Sequence, residues 1–132
     1  MMNYTQALRQ HNLKATPQRL EIANILQKCG HISIEKLYEK MLHKFTSISQ
    51  ATIYKNINLM LESAFIQEVK IPNEKSVFEI TKEAHSHLVC SKCGLVQDTM
   101  IDLTEVIKEL QSSHFQVNKA DLVLSGLCKE CQ

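Results

Sequence analysis

Two cysteine pairs, Cys90-x-x-Cys93 and, after 34 intervening residues, Cys128-x-x-Cys131, are the residues best equipped for chemistry. Each pair presents two thiolates from one tight turn, and two pairs complete the four-sulfur shell that Zn(2+) prefers. Gly94 follows the first pair and Gly126 precedes the second, offering backbone freedom beside a metal. A lone Cys-x-x-Cys serves equally well in thiol redox chemistry, so a thiol redox protein stays open as an alternative. The coexistence of two pairs without a clear parallel βαβ pattern favours zinc, and a small zinc-ribbon module that binds other proteins is a further alternative. The fifth cysteine, Cys29, reads as a small hydrophobe buried near a helix end.

A second cluster involves no sulfur. His85 and His87 alternate on a strand and so share one face, because strand side chains repeat with period two. Glu79 at the end of a preceding hairpin and Asp98 at the end of the next strand can approach that face. His31, just after Gly30, can reach it from the front half of the chain. The plain alternative is that all five are surface polar residues.

The elements that must carry these residues are legible from caps and periodicity. Residues 4–12 form a short amphipathic opening. Thr16 caps a helix over 17–28 with Pro17 in its first position, Ser33 caps a third helix, and Ser49 caps a fourth that runs to residue 63. Strands at 65–70 and 76–80 flank a turn at Pro72 and Asn73. Three helices and then a hairpin is the order of a winged helix, whose recognition helix enters the DNA major groove. In the helix from 49 to 63 the outward residues are Gln50, Thr52, Tyr54, Lys55 and Asn58, which suit DNA contact or, alternatively, a solvated face. Arg19 is a candidate phosphate contact. The remainder reads as strands at 86–90 and 95–98, a helix at 102–113 and a strand at 122–124. The expected class is therefore α+β: an N-terminal winged helix-turn-helix domain (1–80), a hinge (81–84) and a small C-terminal α/β domain (85–132) holding a four-cysteine zinc site. So small a domain buries little apolar area, so zinc, and pairing with a second copy, would supply much of its stability.

Whole-chain quantities bound these readings. With 132 residues the chain holds one ordinary domain or two very small ones, which excludes a large enzyme fold. No nucleophile with a positioned base and no phosphate loop is present, and no enzyme is expected. The net charge is +1, but residues 1–70 carry nine basic against five acidic side chains and residues 71–132 six against nine. A basic front half fits nucleic acid as its partner. No apolar run approaches the ~18 residues of a membrane span and the first residues lack a secretory layout, so a cytoplasmic protein is expected.

The segments Thr16-Pro17-Gln18-Arg19, Ala51-Thr52-Ile53-Tyr54, Ser76-Val77-Phe78-Glu79, His85 to Gly94 and Gly126 to Cys131 together resemble the signature of the ferric uptake regulator superfamily, in order and at family spacing from about residue 5 to 131. The resemblance implies a homodimeric, metal-dependent repressor of a palindromic double-stranded DNA operator, with an N-terminal winged helix and a C-terminal dimerisation domain. It implies structural zinc on Cys90, Cys93, Cys128 and Cys131, and a regulatory ion on His31, Glu79, His85, His87 and Asp98. That nitrogen and oxygen set suits Fe(2+) or Mn(2+). Asp98 resembles the peroxide-responsive members, in which iron-catalysed oxidation falls on histidines matching His31 and His85; Glu79 resembles the iron-uptake type. A further family metal site is expected to be missing, because Ala84, Ser86 and Ala120 leave Glu105 without companions. A peroxide sensor is the expectation, with an iron-responsive repressor of iron uptake as its rival.

Overall fold

Hydroxyl caps set the starts of three helices in the computed structural model, which describes residues 3–132. The side chains of Thr16, Ser33 and Ser49 accept hydrogen bonds from the backbone N–H groups of Arg19, Lys36 and Thr52, satisfying donors that a helix start leaves over. The helices are α1 (Thr5–Gln10), α2 (Pro17–Cys29), α3 (Ile34–Lys44) and α4 (Gln50–Glu62). A hairpin of β1 (Ile66–Val69) and β2 (Val77–Ile80) follows, antiparallel, with Gln67 opposite Glu79. Gly30 ends α2 at φ 75, a backbone conformation that glycine adopts without strain.

The chain divides into two compact units, Met1–Lys82 and Glu83–Gln132. The first has a continuous core. Leu8, Ile22, Leu26, Leu37, Met41, Ile53, Ile57, Met60 and Ile66 are fully buried, drawn from α1 to α4 and β1. Helical spacing fixes the α4 part of it: Ile53, Ile57 and Met60 point inward, which turns Gln50, Tyr54, Lys55 and Asn58 outward. One extra bridge extends the hairpin. Ile32 pairs antiparallel with Phe78, each donating its N–H to the other's carbonyl, and thereby adds the segment between α2 and α3 to the edge of β2.

The second unit holds a three-stranded sheet in the order β4-β3-β5, from β3 (Ser86–Cys90), β4 (Val96–Thr99) and β5 (Val123–Gly126), with α5 (Thr104–Gln111) between β4 and β5. The central strand pairs antiparallel with β4 and parallel with β5, a parallel pair that showed no clear pattern in the sequence. The intervening β4 and α5 form the long connection that parallel strands require. The apolar stripe of α5 is not covered: none of its residues is buried, and Val106 and Leu110 are exposed. Among the described residues no helix is long and apolar enough to cross a membrane.

Two local readings need correction. Cys29 is exposed, because it lies in the last turn of α2, beyond the buried positions Ile25 and Leu26. Gly126 supplies no unusual turn; it lies in β5 opposite Cys90, and its carbonyl accepts hydrogen bonds from the N–H and hydroxyl of Ser91.

Candidate metal centres and nucleic-acid face

Strand pairing builds the cysteine site. Cys90 ends β3 and faces Gly126 of β5, which delivers Cys128 two residues later, while the turn through Gly94 (φ 81) brings Cys93 back beside Cys90. The Gly94 N–H donates to the Cys90 carbonyl and the Cys93 N–H to the Cys90 sulfur, the latter at 3.4 Å. Cys131 closes the set from the short 3-10 turn Lys129–Cys131. All four sulfurs lie within 4.8 Å of one another. Cys93 Sγ and Cys128 Sγ are 3.7 Å apart, far beyond a disulfide and close to the roughly 3.8 Å that separates two sulfurs each about 2.3 Å from one tetrahedral zinc.

The thiols do not titrate alike. Backbone hydrogen bonds from Cys128 and Cys93 pull the Cys90 thiol down to about 5. The neighbouring Cys128 sulfur, then burial, pushes Cys131 up to about 12. Four such groups cannot all ionise side by side without a cation, and a dication removes the conflict. The residues therefore fit a structural Zn(2+).

The histidine and carboxylate residues form one group in each unit. In the first, the register that pairs Ile32 with Phe78 sets His31 opposite Glu79, and His31 Nε2 lies 2.8 Å from Glu79 Oε2. Glu79 is only 1% exposed. Its other oxygen, Oε1, accepts a hydrogen bond of 2.7 Å from Gln67 Nε2 across the hairpin. Gln67 escaped the sequence reading, since its partner becomes visible only once strand register is known.

In the second unit, His85 and His87 share a face as the period of the strand requires, with ring centroids 4.5 Å apart. Asp98 stands opposite His87 on β4, and its Oδ1 lies 3.4 Å from Nε2 of both rings. His85 Nδ1 is 2.7 Å from the Glu83 carbonyl. A carbonyl only accepts, so Nδ1 carries the hydrogen of that contact and Nε2 is the ring atom turned towards Asp98. A spacing of 3.4 Å is long for an N–H···O bond but matches the roughly 3.0–3.4 Å between two ligands each about 2.1 Å from a shared ion. This donor set, without sulfur, fits Fe(2+) or Mn(2+).

On α4, Tyr54 is 49% exposed, and Gln50, Lys55 and Asn58 are exposed beside it. Thr52 is half-buried, its hydroxyl 3.0 Å from that of the Ser49 cap. Arg19 is more committed than expected: Nε donates to Asn56 Oδ1 and Nη1 to the Lys14 carbonyl. Asn56, buried and overlooked in the sequence, donates in turn to the Thr52 carbonyl, so this network ties α2 to α4.

The chain as a whole is similar to known proteins. The family model described as the ferric uptake regulator family matches residues 10–125. The ferric uptake regulation protein of Vibrio cholerae is 36% identical over 133 residues, covering 97% of this chain and 89% of that protein. The peroxide-responsive repressor PerR of Staphylococcus epidermidis is 28% identical over 129 residues, covering 96% and 86%. The crystal structure of the Campylobacter jejuni peroxide stress regulator superposes with a TM-score of 0.75 at 36% identity, covering 98% of this chain and 100% of that one. With four helices and a β-hairpin ahead of a four-cysteine α/β unit, and a match spanning nearly its whole length, the chain belongs to the ferric uptake regulator family, whose members are dimeric, metal-dependent regulators of transcription and not enzymes.

Proposed function

We propose that this repressor senses hydrogen peroxide and controls genes of the oxidative-stress response from the cytoplasm. The observation that carries the reading is Asp98 on β4, with one oxygen 3.4 Å from both His85 and His87. An aspartate in this position resembles the peroxide-responsive members. The regulatory ion, Fe(2+) or Mn(2+), would be held by His31 and Glu79 from the first unit and by His85, His87 and Asp98 from the second, while Zn(2+) occupies Cys90, Cys93, Cys128 and Cys131. Residues 81–84 serve as the hinge between a DNA-binding domain (1–80) and a dimerisation domain (85–132).

Ligands drawn from both domains make metal binding favour one relative orientation of the two, by as much as the ion prefers that orientation. In a homodimer the orientation sets the spacing of the two α4 helices, which must match half-sites of a palindromic double-stranded operator about a helical turn or more apart. Tyr54 and Lys55, then Gln50, Thr52 and Asn58, face the DNA. Arg19 adds a phosphate contact through N–H groups beyond the two that bind Asn56 and Lys14. Bound Fe(2+) would supply one-electron redox chemistry that activates peroxide beside the imidazoles, which Mn(2+) does not readily supply. Hydrogen peroxide, the two-electron oxidant, would place one oxygen atom on a ring carbon of His31 or His85 and leave the other as water, with no net change in the iron, and the damaged ligand set would let the operator go.

Mass spectrometry of the Fe(2+) protein after brief peroxide treatment tests this directly. One added oxygen on His31 or His85 is expected, and unmodified histidines after exposure would refute sensing by this route. A second reading, an iron-responsive repressor of iron uptake, is favoured by Glu79, which resembles that type. It predicts operator binding by the Fe(2+) form that survives stoichiometric peroxide.

A further inference from the structure

Accepting Glu79 as a ligand of the regulatory ion, we propose that Gln67 is its positioning residue: the side-chain amide holds Oε1, so that the carboxylate offers a metal only Oε2, the oxygen it turns towards His31. The observation is the 2.7 Å hydrogen bond from Gln67 Nε2 to Glu79 Oε1, set beside the 2.8 Å approach of His31 Nε2 to Oε2. Each oxygen of the carboxylate thus faces a different neighbour.

The backbone fixes this division. Gln67 and Glu79 are opposed in the β1–β2 ladder, and opposed residues project to the same face. On the other edge of β2, the Ile32–Phe78 bridge holds His31 in place. Glu79 therefore stands between two side chains whose backbones are pinned to its own strand. It is almost wholly buried, so water cannot replace a lost donor at Oε1, and removal of the amide would free that oxygen to turn towards another positive partner. An amide suits the task better than Lys or Arg, because it donates without bringing a positive charge up to a cation site. Hydrogen bonds of this kind orient ligating carboxylates and are worth roughly 10- to 100-fold in metal affinity.

The test uses the zinc-replete full chain and Mn(2+) as probe, titrated by the electron paramagnetic resonance signal of the free ion. Infrared difference spectra record how the carboxylate binds, because its two stretching bands are widely split in one-oxygen binding and closer together in two-oxygen binding. Gln67→Met is expected to bind Mn(2+) roughly 10- to 100-fold more weakly. Its band splitting should narrow as Oε1 becomes free, whereas loss of a merely structural contact would leave the splitting unchanged. Gln67→Asn, one methylene too short to reach Oε1, should behave the same way and serves if Gln67→Met does not fold. Folded variants with wild-type affinity or wild-type splitting would overturn the role of Gln67. Glu79→Ala separates the two levels: wild-type Mn(2+) binding by that variant would remove Glu79 from the ligand set and the proposal with it, whereas weakened binding there beside unchanged Gln67 variants would remove the proposal alone.

Discussion

At the residue scale, the four sulfurs of Cys90, Cys93, Cys128 and Cys131 decide whether the second unit holds together, since almost nothing else in it is deeply buried. Structural zinc contributes about 10–16 kcal/mol of apparent binding free energy in zinc-finger peptides. A whole domain is stable by only about 5–15 kcal/mol. Cys93→Ser should therefore abolish stoichiometric zinc and shift the unfolding of residues 83–132 to markedly lower temperature, leaving the first unit's melting in place. Elemental analysis and a thermal melt followed by amide signals of each unit check it; a folded second unit without zinc would contradict it. The cysteine pairs were legible because spacing alone encodes them, and His85 with His87 because a strand alternates. Gln67, Asn56 and the exposure of Cys29 were not, since each depends on what another element brings against it.

At the element scale, helix starts were the most readable feature, because a hydroxyl at the cap bonds to an N–H only three residues on and needs no distant partner. The parallel pairing of β3 with β5 was hidden for the opposite reason: more than thirty residues separate Leu88 from its partner Leu124. The apolar stripe of α5 is exposed, and in a dimeric family that face is available to a second copy. Helix α4 carries the next prediction. Lys55 is exposed on its outward face and is read as a phosphate or base contact. If Lys55 neutralises one phosphate, Lys55→Ala should weaken operator binding and flatten the dependence of log affinity on log salt by roughly 1 unit per subunit contact. Fluorescence anisotropy at several salt concentrations measures this; an unchanged slope would place Lys55 off the DNA.

At the scale of the whole molecule, control of DNA binding requires linkage between metal and DNA. Shifting an orientational equilibrium from 1:99 to 99:1 takes a preference of about 5.5 kcal/mol, and an ion bound equally well in both orientations shifts nothing. Ligands confined to one unit therefore bind metal without controlling DNA, whereas ligands from both can do so. His31 and Glu79 lie in the first unit, and His85, His87 and Asp98 in the second. The order of these residues along the chain was readable, but the charge split at residue 70 leaves Glu79 in the acidic back half whereas the fold places it with His31 in the first unit, and their partners within each unit emerged only with strand register. The most direct measurement is operator affinity as a function of Mn(2+) for the wild type and for the double variant His31→Ala, Glu79→Ala, each with its zinc retained. Affinity is expected to rise with Mn(2+) in the wild type and to stay flat in the variant. A variant that still tightens on the operator as Mn(2+) is added would contradict it.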